Sequence, residues 1–116
     1  MNDDNQAKET FLTRIENDDH LFSVTLDYID KYYEFSAATF TNGELENSQE
    51  QNQGSCRVLA LAKLLQLTDE QTLCCFGEHY RDVLASPSGD SHQNIRQLQQ
   101  HGLEGVRFEQ LPLRKK

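Results

Sequence analysis

The chain has 116 residues, 36% of them hydrophobic and 26% charged, which suits one globular domain. A domain of this size buries somewhat over ~60% of its unfolded surface and needs neither metal nor disulfide support. A net charge of −8, from 11 basic and 19 acidic residues, opposes non-specific binding to nucleic acid or to anionic lipid.

Asn2 to Gln6 is polar, and residues 1–6 are expected to fray. This segment has no basic n-region and no apolar h-region, so it does not read as a secretory signal. From about Ala7 to Asn17, Phe11 and Ile15 stand four apart and predict a short amphipathic helix. Asn17-Asp18-Asp19 is a turn or cap cluster. A second helix is expected from about Leu21 to Glu34, with Phe22, Leu26, Ile29 and Tyr33 on its inner face.

Phe35 to Thr41 is rich in β-formers and ends in the turn signal Asn42-Gly43, which predicts a short strand. The polar stretch that follows, to residue 54, reads as a long, mobile surface loop over 43–54. A central helix is predicted from about Ser55 to Gln66, apolar around most of its circumference. Thr68 and Gln71 have capping-box spacing and open a helix expected to reach Ala85, with Leu73, Phe76, Tyr80 and Leu84 buried. Gly77 inside that helix suggests close approach by a neighbour.

A fifth helix is expected from about His92 to His101, capped by Asp90 or Ser91 and ended by Gly102. Val106 to Glu109 alternates as a second strand and is expected to pair with the first. The basic tail Arg114-Lys115-Lys116 reads as a solvated end. The prediction is therefore an α+β single domain, mostly helical, with about five helices and a small sheet of short strands. No apolar run is long enough to span a membrane.

Several ordered blocks resemble the HopJ type III effector family. They are Phe35-x-x-x-Thr39-Phe40-x-Asn42-Gly43, Gly54-Ser55-Cys56-x-Val58, Cys75-Phe76-Gly77-x-x-Tyr80-Arg81-x-Val83-Leu84-Ala85-x-Pro87-x-Gly89, His92-Gln93-Asn94-Ile95-Arg96 and Gly102-x-Glu104-Gly105-x-x-Phe108. The resemblance runs from about Phe11 to Leu113. It implies a bacterial protein with type III export as an option, and it brings no catalytic residues with it. The N-terminus departs from the Ser-rich, acid-poor composition of such export signals, carrying Asp3, Asp4 and Glu9.

Three cysteines, two of them adjacent, do not form a disulfide framework, and the chain reads as a cytoplasmic protein of a reducing compartment. Cys56 opens the central helix, where the helix dipole favours a thiolate. With His92 as base and Asn94 or Asn42 orienting the ring, it forms a candidate Cys–His site of a hydrolase or transferase. The structural alternative makes Cys56 a small buried hydrophobe and His92 a helix cap. Cys75 and His79, four apart, could grip one zinc, but no CxxC or HExxH spacing accompanies them, and neither a metal site nor a cofactor is assigned. Tyr80, Arg81, Arg96 and Asn42 are candidate binding residues. The arginines either meet an anionic ligand or pair with internal acids such as Glu78 and Asp82. A module binding a protein or small molecule is favoured over an enzyme.

Overall fold

A computed structural model describes residues 3–116. Met1 and Asn2, part of the segment expected to fray, lie outside the described residues. Asp3 onward is already helical, in α1 (Asp3–Arg14). The chain continues through α2 (Phe22–Tyr32), β1 (Tyr33–Phe35), β2 (Phe40–Asn42), β3 (Leu45–Asn47), α3 (Gln53–Leu65), α4 (Asp69–Cys74), α5 (Glu78–Ala85) and α6 (Gln93–His101). A 3-10 turn over Leu103–Gly105 leads into β4 (Val106–Phe108) and β5 (Leu113–Lys115). The fold is α+β, with six α-helices among the described residues and two small antiparallel sheets.

The segment expected to be one strand serves both sheets. β1 pairs with β5, and β2 lies between β3 and β4 in the other sheet. The expected pairing of the Phe40 region with the Val106 region is present, with Phe40 opposite Phe108 and Asn42 opposite Val106. β3 and β5 were not expected. β3 lies in the stretch expected to be a mobile loop and has one apolar residue, Leu45. It forms because Gly43, at φ +62, lets the chain reverse directly after Asn42. The basic tail is solvent-exposed, as expected, but its Arg114 and Lys115 also belong to a strand, β5. Its Arg114 meets Glu34 at 2.7 Å, and the Lys116 ammonium donates to the Asp30 carbonyl at 2.7 Å.

α3 is central, as its composition predicts. Val58, Leu59, Ala60, Leu61 and Ala62 are all fully buried, although Leu64 faces outward. Phe11 of α1 stacks on Tyr28 of α2, with ring centroids 4.3 Å apart, and so closes one side of the core. The helix expected over residues 68–85 is broken. The Thr68 capping box is present, but Gly77 has φ +57 and ψ −125, which ends α4 and starts α5 in a new direction. Leu84 consequently points to solvent at 55% exposure rather than inward. Gly102 does end α6, at φ +70. The expected Asp90 or Ser91 cap is replaced by His92 in a left-handed conformation, with no side-chain cap.

One buried polar chain ties the turn before α2 to the break at Gly77. Thr25 donates its hydroxyl proton to the Cys75 carbonyl at 2.7 Å. His20 Nε2, 2.7 Å from the Thr25 hydroxyl oxygen, must then be the donor to that hydroxyl. The other ring nitrogen, Nδ1, is buried and has no hydrogen-bond partner among the described residues. Burial, with the charges of Arg14 and Arg81, lowers the His20 pKa below 6.5, against weaker raising effects of Glu78 and Asp19. Below pH 6.5 the unfolded chain therefore takes up a proton that the folded chain refuses. Stability should fall as pH drops from 6.5 toward the folded pKa. Urea titrations between pH 7 and 5 should show this slope in the native protein and a flatter one in His20→Gln. Equal slopes would remove His20 as the cause.

Candidate functional site

The chemistry-bearing residues gather where α3 and α6 begin. Gly54 and Ser55 in the first turn of α3 and Gln93 and Asn94 in that of α6 line a cleft of about 260 Å³. Both helices start without a side-chain cap, behind Asn52 at φ 53 and His92 at φ 54. Left-handed geometry at non-glycine residues is unusual and is held here by surrounding contacts. The first intrahelical bonds are Cys56 N to Asn52 O in α3 and Ile95 N to His92 O in α6. The backbone N–H groups of Gly54, Ser55, Gln93 and Asn94 thus meet no protein acceptor among the described residues.

The cleft has an aromatic wall. Phe22 stacks on Phe76 at 5.8 Å and meets the edge of His79 at 5.0 Å, and His79 lies 5.0 Å from the His92 ring. Phe22 is itself anchored, its backbone N–H donating to Glu78 at 2.7 Å. Gly54 matters at this wall, because an added Cβ would sit 3.1 Å from the Phe22 ring. On its outer side, His92 Nε2 lies 3.5 Å from an Asp82 carboxylate oxygen.

Four asparagines brace the two helix starts. Asn42 Nδ2 donates to the Asn94 carbonyl at 2.8 Å and to Asn94 Oδ1 at 3.0 Å. Asn94 Nδ2 donates to Asn47 Oδ1 at 3.1 Å, and Asn52 Nδ2 reaches the same oxygen at 2.6 Å. β2, β3 and the entries to α3 and α6 are thereby joined in one network. Neither Asn94 nor Asn42 orients the His92 ring as expected: Asn42 bonds Asn94, Asn94 bonds Asn47, and the His92 ring lies beside Asp82.

Cys56 does not join them. It is fully buried, does not line the cleft that holds His92, and its thiol lies 4.0 Å from the Ala38 carbonyl. The helix dipole argument expected a lowered pKa. Burial instead pushes the thiol up to about 11, against weaker opposing effects of the Ala38 hydrogen bond and Arg57. Cys75 is also sealed in the core, its pKa pushed up to about 12, mainly by burial. Iodoacetamide should therefore label half-buried Cys74 first, and Cys56 and Cys75 only on unfolding. Peptide mapping after native and denatured labelling checks this, and rapid native labelling of Cys56 would restore it as a nucleophile.

The expected binding residues disperse. Arg96 wraps the loop before α6, donating to the Ser91 carbonyl at 2.5 Å and the Pro87 carbonyl at 3.3 Å, so it pairs with backbone rather than with Glu78 or Asp82. Arg81 is half-buried and adds its charge to the surroundings of His20 and Glu78. Tyr80 packs on the core, where burial raises its pKa. None of the three lines the cleft. Sequence reasoning missed Phe22 and Asn52 as site residues. The Gly54-Ser55 helix start was the signal that could have led to them. Among the described residues, no group of three or more His, Cys, Asp or Glu is arranged to hold a metal. A wider depression of about 540 Å³ lies over β2, β3 and β4, with no cysteine or histidine in its lining.

No curated protein matches the chain. A crystal structure described as that of an unknown function protein, VPA0580, is 40% identical and superposes with a TM-score of 0.86, over 93% of this chain and 92% of that one. The model of the HopJ type III effector protein family matches residues 8–113. With nearly the whole chain covered, the protein belongs to the HopJ type III effector family.

Proposed function

We propose that this family member is a binding module whose ligand enters the cleft between the starts of α3 and α6. The observation that carries the reading is a separation of parts. The aromatic wall, both imidazoles and four backbone donors face or border one cavity, while the thiol that a Cys–His enzyme would use is sealed elsewhere. Small concave sites with apolar walls and a few convergent polar groups are typical ligand sites. At about 260 Å³ the cleft suits a ligand smaller than drug size. Three free thiols support action in a reducing compartment, which a bacterial cytosol or the cytosol of a host cell supplies.

An NMR fragment screen tests the reading. Saturable shifts should concentrate on the amides of Gly54, Ser55, Gln93 and Asn94 and on the His79 and His92 rings. They should persist in Cys56→Ser, whose thiol a catalytic mechanism would require. Shifts confined to other surfaces would overturn it.

A further inference from the structure

We propose that the cleft takes a small aromatic carboxylate, an inference that rests on the binding reading above. The chain carries 19 acidic residues, yet no Asp or Glu lines this cavity. What lines it is complementary to an anion on a flat apolar body. The half-buried Phe22 ring, backed by the buried Phe76 ring with planes 7° apart, offers an apolar surface to a ligand ring. The His79 imidazole stands at 65° to Phe22 and makes no hydrogen bond to protein among the described residues, so it is available as a donor. The Ser55 hydroxyl and the unpaired N–H groups of Gly54 and Ser55 border the same space. Asp82 acts on His92 from its outer side, where its carboxylate is 71% exposed, so it does not occupy the cavity. Carboxylates gain from charge-assisted bonds to backbone N–H and imidazole donors, and a helix start adds to that preference.

Benzoate, benzamide and inorganic phosphate are the probes, titrated by NMR against the intact chain. Benzoate should bind at least tenfold tighter than either of the others, with shifts at Gly54, Ser55 and His79. His79→Phe keeps an aromatic plane but removes the donor, and should abolish the preference for benzoate over benzamide. Ser55→Asp places a carboxylate in the cavity at the third helical position, where an acid suits the helix and the fold should hold. It should weaken benzoate at least tenfold and weaken benzamide by a smaller factor, so that the preference for the anion is lost. Benzamide binding as tightly as benzoate overturns the anion preference and leaves the binding reading standing. Phosphate binding as tightly as benzoate overturns the aromatic body. No shift with any probe overturns both.

Discussion

Gly77→Ala is expected to lower stability by about 3–5 kcal/mol, because backbone strain and overpacking act together there. The native residue sits at φ +57 and ψ −125, a conformation that only glycine adopts without strain. A Cβ would lie 2.6 Å from the Phe22 nitrogen, 2.8 Å from the Leu21 carbonyl carbon and 2.9 Å from the His20 carbonyl oxygen. All three are backbone atoms, so no side chain can rotate away. The clash must be relieved by moving the start of α2, and with it the Phe22 ring that walls the cleft. Thermal denaturation should show a fall of more than ~10 °C. Gly89→Ala is the control. Its φ is not left-handed and its closest new contact would be 3.1 Å from the Arg96 guanidinium, so its effect should stay below ~1 kcal/mol. A Gly77→Ala protein melting like the native one would show that the α4–α5 break can be rebuilt without glycine.

The same residue marks where the sequence was legible and where it was not. A glycine inside an apolar helical pattern pointed to a close neighbour, and His20 to Phe22 are that neighbour. It did not disclose the break, because Leu73, Phe76 and Tyr80 keep helical spacing across it. α3 was readable because its apolar residues surround the helix. The Asn42-Gly43 turn was readable because its chemistry is local. β3 and β5 were not, since each is a three-residue strand with one apolar side chain; β3 depends on the hairpin back to β2, and β5 on β1, which is distant in sequence. The site failed for a related reason. An early helical position does favour a thiolate, but Cys56 faces inward among the core residues of α3, and burial outweighs the dipole. Arg81 and Arg96 were chosen for charge, while the cleft is built from uncharged donors and rings. His92 and Asn94 were chosen for the block they form, and that block is the start of α6.

Asn42→Asp is the second large effect, and it also probes the network that positions the cleft. Asn42 is fully buried, and its NH₂ group donates to two oxygens of Asn94. A carboxylate there would face two acceptors with no donor, and leaving a buried charge uncompensated costs about 3–5 kcal/mol. Burial beside acceptors would raise the folded-state pKa of the new acid above its unfolded value of about 3.9. Below that unfolded value both states are neutral and the ionisation penalty vanishes. As pH rises above it the unfolded chain ionises first, so the penalty grows until the folded pKa is passed. Urea denaturation of Asn42→Asp should therefore show a much larger loss at pH 8 than at pH 5, relative to native protein. Asn42→Ala, which removes the donor without adding charge, should cost about 1–3 kcal/mol at either pH. Because Asn94 lines the cleft and Asn47 links it to Asn52, the aspartate should also shift the amides of both helix starts before the chain unfolds. Equal losses at pH 5 and pH 8 would mean that water reaches position 42, and the asparagine network would then be a surface feature rather than the brace beneath the cleft.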